Sequence, residues 1–236
     1  MNLLLLFPQD FISPGLARLT DHRLQHLLSV KKICQGGTLE VGLINDKMGL
    51  GRVLYIDHKR VDLQVLLDRE PVAPLPVNLI LALPRPKMFK RILQTISAMG
   101  VKQLTLIHSA RVEKSYWQSP WLEDEKIRQH LILGLEQAKD TQLPQVTCFH
   151  RFKPFVEDVL PGLVSGTRAL VAHPGRGDFC PAESSQPVSL AIGPEGGFSD
   201  YEIEKFTQAG LSVCHLGERI LRVENAIPVL LGRLNR

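Results

Sequence analysis

The stretch Leu190-Ala-Ile-Gly-Pro-Glu-Gly-Gly-Phe-Ser-Asp200 is the place to begin. The apolar run Val188–Ile192 leading into it has the composition of a strand buried on both faces, as in a parallel sheet. A glycine-rich turn follows. Ser199 with Glu202 three residues on spells a capping box, so a helix starts there, and Gly210 closes it. Strand, turn and helix in this order make one α/β unit. In such folds ligands bind at the carboxyl ends of the strands. Gly196 and Gly197 allow backbone angles closed to other residues and let a ligand approach the main chain. The two common nucleotide signatures are absent: there is no GxxxxGK[ST] and no GxGxxG after an early strand.

The same alternation extends backwards and forwards. Val77–Leu83 reads as a strand. Pro86 then opens a helix that Gly100 closes, with Met88, Ile92, Ile96 and Met99 on one face. Val101–Ile107 is the next strand, and Trp121–Lys139 is a helix with Ile127, Leu131, Leu135 and Ala138 facing inward. Val146–Phe149, Ala169–Ala172 and Leu211–Leu216 are further strands. A last helix begins near Glu224, with Pro228 about one turn inside it. Strands alternating with helices predict an α/β fold on a mostly parallel sheet.

Residues before 72 have a different character. Short apolar runs at Leu3–Phe7, Thr38–Ile44, Arg52–Ile56 and Val61–Leu67 are separated by turn residues, which predicts a small β-barrel. One helix interrupts them, with Thr20 as its expected cap and Leu24, Leu27 and Leu28 on one face. Pro71, Pro74 and Pro76 form a stiff connector. The expected domains are therefore 1–72 and 73–236.

Composition sets outer limits. The chain has 236 residues, 44% hydrophobic and 22% charged, with a formal charge of +4. It is too apolar for a disordered chain and too long for a disulfide-stapled one. No run of 18 apolar residues exists, so no membrane span is expected. Cys34, Cys148, Cys180 and Cys214 lack metal-ligand spacing and read as reduced, mostly buried residues of a cytoplasmic protein. The eight histidines show no ligand spacing either, and no metal is expected.

Three charged segments stand out. Leu216-Gly-Glu-Arg-Ile-Leu-Arg-Val-Glu-Asn-Ala226 again joins a strand to a helix. Alone it reads as a solvated loop, but beside the 190–200 turn it would complete a pocket. Arg85, Lys87, Lys90 and Arg91 sit at the start of a helix, where cations are disfavoured unless an anion compensates. Arg18, His22, Arg23, His26, Lys31 and Lys32 gather in the barrel half. Phosphate backbone is the natural partner for both clusters. Trp117 and Trp121 are expected to anchor a loop or a subunit contact.

Ile192-Gly-Pro-Glu-Gly-Gly-Phe198, followed by Leu216-Gly-Glu-Arg-Ile-Leu-Arg222-Val-Glu224-Asn-Ala226, resembles the RsmE ribosomal RNA methyltransferases of the SPOUT superfamily. Met99-Gly-Val101, Leu135-Glu-Gln-Ala138 and His173-Pro174 add supporting matches. The resemblance spans nearly the whole chain, and its first 72 residues are similar to a PUA-like RNA-binding barrel. It implies a homodimer of SPOUT-type α/β domains with a C-terminal trefoil knot, and S-adenosylmethionine held bent by the knot loops. The implied reaction is methylation of N3 of a uridine in small-subunit (16S) ribosomal RNA, free or in the small ribosomal subunit.

Carried onto this sequence, the resemblance implies cofactor contacts from Ala172, His173, Ile192, Gly193, Pro194, Glu195, Gly196, Gly197, Leu216, Gly217, Ile220, Leu221, Arg222 and Ala226. Arg222 is the expected cation for charge developing on the base, with Glu224 or Glu195 positioning it. Arg23, His26, Lys31, Lys32, Lys87 and Arg91 are the expected RNA contacts. The chain departs from the family pattern at Thr95, Ala98, Asp140, Val223 and Asn225. Two alternatives stand beside this reading: a methyltransferase acting on another RNA site, and an RNA-binding relative without catalysis.

Overall fold

The computed structural model describes residues 2–235. The chain divides into two compact units, Met1–Ala73 with Ile132–Leu143, and Pro74–Leu131 with Pro144–Arg236. Segment 132–143, expected in the second domain, therefore packs with the first. The cause is Leu135, which is fully buried against Leu3, Leu5 and Met48, while the Asn2 and Leu3 N–H groups both donate to the Glu136 carbonyl (3.0 Å each).

The first unit holds β1 (Leu4–Leu6), β2 (Phe11–Ser13), β3 (Leu16–Leu19), β4 (Thr38–Leu43), β5 (Met48–Ile56) and β6 (Val61–Arg69), in the order β1-β4-β5-β6-β3-β2. Only β1 and β4 pair in parallel. Leu4, Leu6, Leu19, Val41, Val53, Val61 and Leu63 form its core. Strands β2 and β3 escape the sequence reading because each is short and Pro14-Gly15 between them dominates the pattern.

Helix α1 (His22–His26) is capped by Asp21 rather than Thr20: the Asp21 carboxylate accepts from the Arg23 N–H. The aspartate accepts more strongly than the hydroxyl it displaces. A single π turn, Leu27–Lys31, extends the helix.

Arg23 corrects an expectation. It is buried, not presented to a polyanion. Its guanidinium donates to both Asp10 oxygens (2.7 and 2.8 Å), to Asp21 through Nε and Nη2, and to the Leu5 carbonyl (2.9 Å). All five N–H groups are thus used inside the fold. Burial opposes the charge, but the hydrogen bonds that Arg23 donates to Asp10 and Asp21 outweigh it and raise the arginine pKa. His26 is half-buried, and desolvation, with Lys31 nearby, lowers its pKa. Lys31 and Lys32 remain exposed.

The second unit is built on β7 (Leu75–Ala82), β8 (Val101–Ile107), β9 (Gln145–Phe149), β10 (Arg168–Ala172), β11 (Asp178–Phe179), β12 (Val188–Ile192) and β13 (Ser212–His215). Their order is β11-β13-β10-β12-β7-β8-β9, and every pairing is parallel. Its helices are α2 (Pro86–Ala98), α3 (Asp124–Ala138), α4 (Phe152–Pro154), α5 (Leu160–Val164), α6 (Asp200–Gln208) and α7 (Val223–Leu234), with α3 passing into the first unit from Ile132 on. Trp121 lies in a 3-10 turn, Pro120–Leu122, so α3 starts later than expected. A π turn, Phe155–Val159, joins α4 to α5.

Cys180 and Cys214 are buried, whereas Cys34 and Cys148 are exposed, against the expectation of mostly buried thiols. Both exposed cysteines lie where a strand or loop turns its side chain outward.

Removing one partner of a buried ion pair leaves the other charge unpaired. Arg23→Ala is expected to lower the unfolding free energy by about 3–5 kcal/mol, measured by urea denaturation. Lys32→Ala, at an exposed site, is expected to change it by less than about 0.5 kcal/mol.

Candidate functional site

Three neighbouring strands, β13, β10 and β12, end on the same edge of the sheet. Their loops, beginning at Leu216, His173 and Gly193, therefore converge, as parallel strands require. Together with the first turns of α7 they enclose a cleft of about 670 Å³, open mouth included. Ala172, Ile192, Leu216, Ile220, Leu221, Val223, Ala226 and Leu230 make its apolar wall, and Arg219, Glu195, His173 and His215 its polar part.

The glycine turn is closed by the Gly197 N–H donating to the Pro194 carbonyl (2.8 Å). Gly197 has φ +70°, in the left-handed region. Gly193 is needed for space: a Cβ there would lie 3.0 Å from the Phe198 nitrogen. Phe198 anchors the turn, buried with its ring 4.9 Å from Phe206. Gly217 has φ +105°, and its N–H donates to His215 Nδ1 (2.9 Å). That ring nitrogen therefore carries a lone pair and no proton.

Glu202 braces the turn from behind. It is buried and accepts from the Ser199 N–H (2.8 Å), the Ser199 hydroxyl (2.9 Å) and the Ala110 N–H (2.7 Å). The expected capping box is thus present. It also ties the loop after β8 to the turn. Glu195 accepts from the Arg85 N–H (3.0 Å), which ties the loop after β7 to the same place.

Of the residues expected to hold the cofactor, all but Gly196 and Arg222 line this cleft. Gly196 lies on the outer side of the turn, against Arg111. Arg222 is the N-cap residue of α7, exposed, between the lining residues Leu221 and Val223. No carboxylate among the described residues forms an ion pair with Arg222. Neither Glu195 nor Glu224 pairs with it here, and Glu195 accepts from the Arg85 N–H.

The sequence reading missed Pro174, Cys214, His215, Arg219, Val223 and Leu230 as lining residues. Val223 and Leu230 carry a signal in hindsight, since with Ala226 they share one helix face at helical spacing. Cys214 and His215 carried none, because only the pairing of β13 with β10 puts them there. Among the described residues no group of three His, Cys, Asp or Glu is arranged to hold a metal ion.

Glu202→Ala is expected to lower stability by about 1–3 kcal/mol, because it removes a buried carboxylate that accepts from the Ser199 and Ala110 N–H groups. A thermal melt of the purified protein measures it.

A family model described as an RNA methyltransferase domain matches residues 71–235. The ribosomal RNA small subunit methyltransferase E of Treponema pallidum is 30% identical over 96% of this chain and 87% of its own length. The Synechocystis protein of the same name is 28% identical over 98% of this chain and 76% of its own length. Among solved structures, the Neisseria gonorrhoeae protein of that name, bound to S-adenosyl methionine, superposes with a TM-score of 0.76 at 19% identity, covering 97% of this chain and 95% of that one. A methyltransferase of Legionella pneumophila in complex with the cofactor SAM gives 0.74 at 23% identity, covering 98% and 96%. The structures share the fold, and the sequence matches run through both units. The chain belongs to the ribosomal RNA small subunit methyltransferase E family.

Proposed function

We propose that this protein transfers a methyl group from S-adenosylmethionine to N3 of a uridine in small-subunit ribosomal RNA, in the cleft at the ends of β10, β12 and β13. One observation carries the reading. The cleft combines an apolar wall with two glycine-bearing loops, and apolar side chains stand uncovered at its lip, Ile220 at 78% and Leu221 at 38% exposure. A flat aromatic ring such as adenine would cover them and recover that apolar area. The residues present therefore fit the cofactor: Ile192, Leu216, Ile220 and Leu221 against the ring, and main-chain groups of 193–197 and 216–221 against its polar edges.

When bound, the cofactor supplies a methyl group already activated on a positively charged sulfur. The protein then has mainly to align donor and acceptor. The uridine N3 proton must leave, so negative charge builds on the base. Arg222, exposed at the lip with no carboxylate partner, balances that charge. The open mouth admits a base only once it has left its stack.

The family resemblance extends the proposal to the whole protein. A trefoil knot at the C-terminus is supported by β13, which follows β12 in sequence yet lies between β10 and β11. It is also supported by the Glu183 and Ser184 N–H groups, which donate to the Arg233 and Leu234 carbonyls at the end of α7. The six-stranded first unit serves as a PUA-like RNA-binding barrel through Lys31 and Lys32, and Lys87 and Arg91 hold backbone from α2; all four are exposed. A second copy of the chain covers apolar residues such as Val229 on α7, 48% exposed in the single chain. No helix of the described residues is long and apolar enough to cross a membrane, and the cytoplasm, where ribosomes assemble, is the proposed location.

The test incubates the protein and S-adenosylmethionine with small ribosomal subunits from a strain lacking 3-methyluridine, then maps methylated nucleotides by mass spectrometry. A new 3-methyluridine is expected; a methyl group elsewhere overturns the uridine assignment. Lack of cofactor binding by calorimetry overturns the enzyme reading and leaves an RNA-binding relative. Arg222→Ala is expected to lower kcat by roughly 100-fold with cofactor affinity unchanged.

A further inference from the structure

Arg111, in the loop after β8, lies across the outer side of the glycine turn. Its Nη1 donates to the Gly196 carbonyl (2.5 Å). Its aliphatic stem runs so close that a Cβ on Gly196 would stand 3.2 Å from Arg111 Cδ. A Cβ on Gly197 would stand 3.9 Å from Arg111 Nη1 and 4.0 Å from His173 Nε2, so the guanidinium and a cleft-lining imidazole flank the same glycine. Arg111 therefore stands beside the turn whose other residues line the cleft.

Arg111 is exposed and forms no ion pair among the described residues. Three carboxylates in these loops accept from other groups: Glu195 from the Arg85 N–H, Glu113 from the Tyr116 hydroxyl (3.0 Å) and Glu202 from the Ala110 N–H. An exposed arginine in water samples many rotamers. Here one N–H and the packed stem hold the guanidinium, and its other N–H groups are left to a ligand. A planar fork fixed in this way fits an oxyanion with two acceptor oxygens. Fixing it in advance lowers the entropy cost of binding.

We propose that Arg111 holds a backbone phosphate of the substrate RNA at the mouth of the cleft, setting how the target nucleotide enters. The inference rests on the proposed function. The same oxyanion chemistry could come from the carboxylate of the cofactor's amino-acid end, and the test separates the two sources. Arg111 stands outside the loops that the sequence reading singled out, and only the fold brings it to Gly196.

The experiment uses the full chain and its Arg111→Ala and Arg111→Lys variants. S-adenosylmethionine affinity is read by calorimetry. Affinity for a uridine-rich single-stranded oligoribonucleotide is read by fluorescence anisotropy between about 50 and 200 mM salt. Arg111→Ala is expected to weaken RNA binding roughly tenfold and to lower the slope of log K against log salt by about one. Cofactor affinity is expected to stay the same. Arg111→Lys is expected to keep the slope and lose part of the affinity, because it keeps the charge without the fork.

RNA affinity and slope unchanged in Arg111→Ala overturn the proposal. A weaker affinity with an unchanged slope also overturns it, and leaves Arg111 as a brace for Gly196 alone. A parallel loss of cofactor affinity assigns the oxyanion to the cofactor instead. If the unaltered chain binds neither cofactor nor RNA, the proposed function falls together with the inference; if it binds both and the variants match it, the inference falls alone.

Discussion

Every strand of the large sheet runs in the same direction, and the rest of the unit follows from that constraint. A parallel neighbour cannot be reached by a tight turn, so each connection must cross a face of the sheet. The crossings cover both faces and force the strands to be apolar throughout, as in Val188–Ile192, all five of which are buried. They also bring every strand to its end on one edge. The cleft exists because β13, β10 and β12 are neighbours there.

What the strands bring together, a few buried groups hold in shape. Glu202 spends its carboxylate on Ser199 and on Ala110, coupling a helix start to the loop of a different strand. Phe198 fastens the other side of the turn in an aromatic cluster with Phe206 and Phe152. The glycines between these anchors can stay free of side chains because the anchors, and not the turn itself, supply the rigidity. Arg111 and Arg85 reach the same turn from the loops after β8 and β7, so two further loops support one of the three that line the cleft.

The first unit shows the opposite use of charge. A cluster of cations in the sequence looks like a surface for phosphate, and Lys31 and Lys32 do face solvent. Arg23, in the same cluster, turns inward and satisfies Asp10 and Asp21. Asp21, two residues before it, is the local part of that pairing. The difference lies in Asp10, thirteen residues away, whose carboxylate is buried and needs a partner.

Regular patterns were legible in the sequence. Strand Val188–Ile192, the Pro86 start and Gly100 end of α2, the Ser199 capping box and the turn of α7 around Glu224 all announce themselves through short-range chemistry: apolar runs, ring constraints and local hydrogen bonds. So does most of the cleft, because Ile192–Gly197 and Leu216–Leu221 are contiguous stretches. The short pair β2 and β3, the helical turns between Phe152 and Val164, and the two-residue β11 carry too few residues for a period to emerge. The contributions of Cys214, His215 and Arg111, the burial of Arg23 and the transfer of 132–143 to the first unit depend on partners distant in sequence. Composition and spacing determine which segments are strands, helices and turns, since those depend on neighbours along the chain. Only the tertiary structure decides which loops meet and which charges are neutralised, since those depend on strand order and on what lies across the core.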